Sequence, residues 1–441
     1  MRSGIVKHLK KTGKAPPDFA GCAEEKTLSK ARKRVVVVGA GIAGSLITHG
    51  LANEEGVEVI CLEQVGEQDQ SQAGTGLNVG PNALKCLKAE LPAVAASIIE
   101  NSLPWRNWTT YLADGEVLID LDMTKVADNF GIRIRWGELY KLLRSGIKDR
   151  VRFDSKVLSC ATQSDGRTSI TFTNGGQNEP QVLEDIDLLI AGDGRYSLIR
   201  EKFFGPSDPT FLGVCLYRVL YPVGADCPID DYGQWFNGPN RLLAFRVPGD
   251  FLYYAGSFPI EVGGGIPESM KDRAMLRKAY TPANGKPSRE VAFMIAKIEE
   301  HFERIHWARI QENEIQFANN TDPVLLVGDA AHPMVPTLGQ GATQAVEDAC
   351  VTIDVIRQTL EAGETLSNVP GSVDRRRRER VKFVMDFSRE ATDTMLAGAD
   401  PRAGTMLKAE KPFVEKLMRL YRDVPVTGAS QVSSQVLRSA L

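Results

Sequence analysis

The sequence has no C-x-x-C pair. Its seven cysteines, Cys22, Cys61, Cys86, Cys160, Cys215, Cys227 and Cys350, are odd in number and scattered. That pattern argues against a disulfide scaffold or a metal site and for a reducing, cytoplasmic setting. No apolar run approaches the roughly 20 residues that span a bilayer, so no membrane association is expected. Neither sign of charge dominates: 53 Lys and Arg against 56 Asp and Glu leave a net charge of −3, which disfavours nucleic acid as a principal partner. Internal repeats are absent. No secretion signal is expected either, because residues 1–33 are basic, include Pro16-Pro17 and have no apolar core. They read as a solvated extension, with an organelle-targeting peptide or a basic arm as the alternatives.

What is present is a chain of 441 residues, 43% hydrophobic, long enough for two or three domains with ample core. Three short segments stand out in order: Gly39-Ala40-Gly41-Ile42-Ala43-Gly44, Ala191-Gly192-Asp193-Gly194, and Val327-Gly328-Asp329-Ala330-Ala331-His332-Pro333. The first follows the apolar run Val35 to Val38 and precedes a stretch with helical spacing, which gives strand, glycine turn and helix. In that arrangement Gly39 permits the tight turn, Gly41 lets a pyrophosphate approach the backbone, and Gly44 lets helix and strand pack closely. The phosphates would sit at the helix N-terminus. A second strand, Val57 to Leu62, ends at Glu63, where a carboxylate can accept hydrogen bonds from an adenosine ribose. The middle segment again has strand feeding turn, with Ser197 to Arg200 opening a helix. In the third, Val324 to Val327 leads into Gly328-Asp329, and Pro336 to Gly341 leads into a helix from Ala342 through Ile356. Read together, the segments form an FAD site split over the sequence.

With these residues in place, the chain resembles the class A, single-component FAD-dependent aromatic monooxygenases, typified by 4-hydroxybenzoate, salicylate and 6-hydroxynicotinate hydroxylases. The resemblance covers residues 34 to about 390 and is most specific from Gly328 to Asp348. It implies FAD held at its ADP half by Gly39, Gly41, Ile42, Ala43, Gly44 and Glu63. It further implies Asp193 and Gly194 serving FAD and the nicotinamide cofactor, Gly328 and Asp329 at the ribitol, and the Gly339, Gln340, Gly341 and Ala342 helix start at the flavin. The implied reaction uses NADH or NADPH and O2, forms a flavin C4a-hydroperoxide and hydroxylates a small aromatic or N-heteroaromatic compound. Pro336 would wall the ring and Thr337, where decarboxylating salicylate hydroxylases carry a His, would offer a hydrogen bond. His332 is either a general base or a structural imidazole fixing the loop. Arg218 would pair with a substrate anion or hold the sheet to the flavin domain.

Two departures from the family pattern stand out. Gln64 follows the ribose acid where the family commonly has Arg, and no Arg occurs through Gly76, so that contact is missing or supplied elsewhere. The pyrophosphate arginine motif is one residue longer here, Arg135-Trp136-Gly137-Glu138-Leu139, which makes Arg135 the candidate and Arg133 the alternative.

The expected architecture is α/β: a three-layer FAD-binding domain with an inserted, mostly antiparallel substrate sheet and C-terminal helices. Its segments are a basic extension 1–33, FAD-binding parts 34–85, 131–205 and 320–395, substrate parts 86–130 and 206–319, and a C-terminal helix and tail 396–441. Within the sheet Tyr217, Arg218, Trp235, Arg246, Phe251, Tyr253 and Tyr254 are available to line a pocket. Arg375 to Arg378, in a long helical stretch, reads as a solvated helix face. The chain is expected to act as a monomer or homodimer. An alkene epoxidase and a flavin dehydrogenase or oxidase stand as alternative functions.

Overall fold

The computed structural model describes residues 32–67, 75–175, 179–319 and 321–426. The expectations for residues 1–31, including Cys22, and for the polar tail Thr427 to Ser434 lie outside the described residues.

The fold is α/β with one parallel sheet and a larger, mostly antiparallel one. The parallel sheet runs Val324–Leu326, Leu188–Ala191, Lys33–Val38, Val57–Leu62, Val151–Arg152. Its inner strands are unbroken β-branched or leucine runs because both faces are covered: Val35, Val36, Val37, Leu188, Leu189 and Ile190 have no exposed surface. Helices Ile42–Leu51 and Gln340–Glu361 pack together on one side. A Cβ at Gly50 would stand 2.4 Å from Ile353 Cδ1, so a side chain there would push the helices apart.

The second sheet has seven strands in the order His306–Glu312, Thr210–Pro222, Phe251–Pro259, Asn240–Val247, Tyr232–Asn237, Asn107–Leu112, Val117–Asp122. All neighbours are antiparallel except Tyr232–Asn237 with Asn107–Leu112. Alternation gives each strand two destinations. One face, with Tyr217, Val219, Trp235, Leu242 and Tyr254, is buried under helices Arg273–Tyr280 and Arg289–Glu300. The other, with Tyr232, Leu243, Phe245, Tyr253 and Ala255, joins the core of the parallel-sheet half. The pocket expectation therefore divides: Tyr217, Trp235, Arg246 and Tyr254 belong to the far face, and Arg218, Phe251 and Tyr253 to the face toward the parallel sheet.

The run Arg375 to Arg378 needs a correction. Helix Val369–Glu390 turns Arg377 fully inward while its neighbours keep contact with solvent. Inside, Arg377 Nη1 donates to Glu347 Oε2 at 2.7 Å, Nε to Asp348 Oδ1 at 2.8 Å and Nη2 to Gln344 Oε1 at 2.7 Å.

Candidate functional site

The glycine turn, the Asp-Gly turn and the Gly-Asp loop follow three adjacent parallel strands at their C-terminal ends, where open α/β sheets bind ligands. The Gly192 N–H donates to Val38 O at 2.8 Å and the Val327 N–H to Ala191 O at 2.9 Å. Gly39 has φ +90°, and a Cβ on it would lie 2.4 Å from Gly192 O. At Gly44 a Cβ would lie 1.9 Å from Gly39 O. These two glycines let the first two motifs touch. Gly41 precedes helix Ile42–Leu51 with no side-chain cap, which leaves the first-turn N–H groups, Ile42, Ala43 and Gly44 among them, for an outside acceptor. Glu63 directly follows the next strand, Val57–Leu62; its Oε2 accepts from the Ala40 N–H at 2.7 Å and its Oε1 from the Val65 N–H at 3.1 Å.

In the third segment Gly328 has φ +59° and Gly339 φ +64°, and Gly339 starts helix Gln340–Glu361 without a side-chain cap. Asp329 is exposed and makes no hydrogen bond or ion pair among the described residues, with its Oδ1 3.9 Å from where a Gly341 Cβ would stand. A free carboxylate beside open helix N–H groups suits a ligand with both hydroxyls and negative charge. Gly341 and Ala342 are partly exposed at that helix start, whereas the Gln340 side chain is buried and accepts from Asn82 Nδ2 at 3.2 Å. Only the Gln340 backbone can face a ligand. Two uncapped helix starts, glycines whose Cβ atoms would close the turns and an unpartnered Asp329 fit a flavin dinucleotide. Asp329→Ala is expected to purify with little flavin while folding normally, and full flavin absorbance per chain would refute the ribitol role.

The Asp193 carboxyl is pushed up by burial, against which the Ser197 hydroxyl and the amides of Ile199 and Leu198 act. It thus serves the start of helix Leu198–Phe204, next to Gly194 at φ +83°. Arg135 lies over the Phe251 ring, 4.9 Å from its centroid, and its Nε has no partner. Arg133 is committed to Pro104 O, Asp230 O and Asp231. His332 has no exposed surface and its Nε2 lies 2.6 Å from Asp348 Oδ2, which also accepts the Gly328 N–H at 2.8 Å. Its backbone N–H also donates to Gly328 O at 2.9 Å, so the residue packs against the Gly-Asp loop through both backbone and ring. Burial would raise the Asp348 carboxyl, but His332 and Arg377 outweigh it and hold it at about 2.

Between the large sheet and the C-terminal helices Pro401–Lys408 and Lys411–Arg422 lies a pocket lined by Trp108, Leu121, Gln234, Phe236, Arg241, Thr337, Lys408, Phe413 and others. Thr337 carries the Gly-Asp loop into this pocket. Its hydroxyl lies 2.6 Å from Thr392 Oγ1, which itself donates to Ser388 O, so Thr337 is the donor. Pro336 is exposed at the turn before it. Arg218 is exposed on the same sheet face, without a hydrogen bond or ion pair among the described residues.

Two residues at this site were not singled out from sequence. Arg241 is 3% exposed, its Nε is unpartnered, its one hydrogen bond is a 3.5 Å contact to Gln234 Oε1, and no carboxylate is paired with it among the described residues. Burial pulls its guanidinium below the usual value, opposed by Tyr232, Tyr253 and Tyr280. Lys408, by contrast, is satisfied by Asp393 at 2.6 Å, Ala391 O and Thr394 Oγ1. Arg200 is the second missed residue: its Nη1 donates to Ala330 O and Ala331 O at 2.9 and 3.1 Å, tying the helix after the Asp-Gly turn to the Gly-Asp loop.

Comparison with known proteins agrees with this layout. An FAD binding domain family matches residues 270–388, a span that contains the Gly-Asp loop and helix Gln340–Glu361. The chain is 28% identical to a 6-hydroxynicotinate 3-monooxygenase of Pseudomonas fluorescens over 74% of this chain and 83% of the relative. It is 26% identical to an FAD-dependent urate hydroxylase of Klebsiella oxytoca over 82% of this chain and 90% of that one. The crystal structure of Klebsiella pneumoniae HpxO complexed with FAD and uric acid shares the fold, with a TM-score of 0.70 at 21% identity over 92% of this chain and 97% of that chain. Among the described residues no helix is long and apolar enough to cross a membrane. The split dinucleotide cradle, the matched domain and these relatives agree in pointing to an FAD-binding chain that is similar to the FAD-dependent aromatic monooxygenases.

Proposed function

We propose that the protein hydroxylates a small aromatic or N-heteroaromatic anion, using FAD, NADH or NADPH, and O2. One oxygen atom enters the ring and the other leaves as water, while the nicotinamide is oxidised. Bound FAD supplies the hydride acceptor and the oxygen activation. The chain supplies position and charge. Glu63, Asp329 and the two uncapped helix starts would hold the dinucleotide, and the free N–H groups after Gly339 favour negative charge developing on the ring system they face.

The observation that carries the substrate reading is Arg241. A buried guanidinium without an anion is costly, and a carboxylate or ring oxyanion entering the pocket would complete it. Such an oxyanion also makes a ring electron-rich. Named relatives act on 6-hydroxynicotinate and urate, ring compounds that carry ionisable groups. The six described cysteines are all free and buried, which supports a reducing compartment such as the cytoplasm.

The test is nicotinamide oxidation by FAD-loaded protein in air against hydroxypyridine carboxylates, phenols, purines and their uncharged analogues, with product masses. Anionic rings should stimulate turnover and gain one oxygen from O2. Oxidation without oxygen insertion would overturn the reading in favour of a dehydrogenase or oxidase, and epoxide products in favour of an epoxidase. Arg241→Met should keep its flavin but raise KM for the anion on the order of tenfold or more. An unchanged KM would remove Arg241 from substrate binding.

A further inference from the structure

The dinucleotide cradle as read from sequence lacks a cation beside its ribose acid, since Gln64 follows Glu63. The fold delivers one from elsewhere. Arg144, in the last turn of helix Trp136–Ser145, reaches the glycine turn with its Nε 3.3 Å from Ala40 O and its Nη2 3.4 Å from Glu63 Oε2. Its side chain is 11% exposed. The guanidinium lies over the Tyr140 ring at 4.7 Å and is also 5.8 Å from the Phe153 ring centroid. The Tyr140 hydroxyl in turn stands 3.7 Å from where a Gly41 Cβ would be.

Three features separate this arginine from an ordinary surface ion pair. Two aromatic rings flank it, so little side-chain freedom remains to be lost on binding. Both of its polar contacts are long and one-sided, which leaves most of its five N–H donors unspent. Glu63 already accepts two backbone N–H bonds at shorter range and does not need Arg144 to be satisfied. An oriented cation with spare donors, at the junction of ribose acid and glycine turn, matches a ribose 5′-phosphate.

We propose that Arg144 is a positioning residue for the adenosine half of FAD, donating charge-assisted hydrogen bonds to the phosphate and ribose oxygens there and replacing in space the arginine absent after Glu63. The inference rests on the FAD assignment and is independent of what the enzyme hydroxylates.

The experiment measures binding of FAD and of FMN, which lacks the adenosine half, to apoprotein by flavin fluorescence. Arg144→Gln should weaken FAD about ten- to hundredfold, the loss expected for a charge-assisted hydrogen bond, and leave FMN affinity within twofold of wild type. The thermal midpoint of the apoprotein should stay close to wild type. Equal loss for FAD and FMN, or a lowered apoprotein midpoint that accounts for the loss, would assign Arg144 a structural role and overturn the proposal. So would unchanged FAD affinity. Should Arg144→Gln fail to fold, Arg144→Lys keeps the charge without the planar fork; it should still bind FAD about fivefold more weakly with FMN unaffected, and wild-type FAD affinity in that variant would refute the role.

Discussion

Arg377→Leu is expected to lower unfolding stability by about 3 kcal/mol at neutral pH, because it takes the shared guanidinium from two buried carboxylates and leaves Glu347 with Arg380 and Asp348 with His332 as their remaining cationic partners. Arg377, Glu347 and Asp348 have no exposed surface, and both ion pairs are shorter than 3 Å. Burial drives Glu347 upward, yet Arg380 and Arg377 bring it below its usual value. Asp348 sits at about 2 for the parallel reason, with His332 and Arg377 opposing burial. The sign follows. A carboxylate depressed in the folded state contributes stability above its unfolded value, roughly 3.9 for Asp, and loses that contribution as pH falls toward its folded one. The deficit of the variant should therefore be full at neutral pH and shrink as pH drops from about 4 toward 2. Urea titration of the apoprotein at several pH values measures this, and an unchanged midpoint at neutral pH would show that the network adds nothing. An all-apolar replacement is not open to this protein, because Asp348 Oδ2 also accepts the Gly328 N–H and so sets the loop that presents Asp329. Loss of flavin should accompany loss of stability.

Gly39→Ala should abolish flavin retention, whereas Gly194→Ala should not. Both residues have positive φ, +90° and +83°, so each substitution carries a similar strain of about 1–3 kcal/mol. They differ in space. The new methyl at Gly39 would meet Gly192 O at 2.4 Å and the adjoining carbonyl carbon at 2.9 Å, forcing the first two motifs apart. At Gly194 nothing lies within 4 Å. The readout is flavin absorbance per chain after purification, with circular dichroism to verify folding. Equal retention in both variants would mean that close contact of the two turns is not what builds the cradle.

The cradle was legible in the sequence because its parts are local: each motif is a buried strand that runs into a turn, and the strand runs are written as continuous apolar residues. Sheet pairing then brings them side by side without further information. The pocket was harder for a geometric reason. Strand alternation shows that Arg241 and Arg246, five apart, must face opposite ways, but not which face meets the flavin side; the structure puts Arg241 inward and Arg246 against Ile229 O and Gly224 O. Arg377 did leave a trace, since Val373, Arg377 and Val381 follow one another at four-residue steps on the buried stripe of their helix. Its position within four consecutive arginines masked that signal. No spacing rule links Arg144 to Glu63, and only the fold makes them neighbours.

The parallel sheet has a further consequence for how the chain reaches this state. Its second strand, Leu188–Ala191, pairs on one side with Val35 to Val38 and on the other with the edge strand Val324 to Leu326. A nascent chain carrying only the glycine turn and its helix thus holds an incomplete sheet with open edges until residue 326 has emerged, with the entire large sheet made in between. Such non-local closure predisposes to slow folding and to transient exposure of strands rich in valine and leucine. Fragments that stop before the Gly-Asp loop would display those edges permanently, and aggregation, rather than a half-functional flavoprotein, is what they should yield.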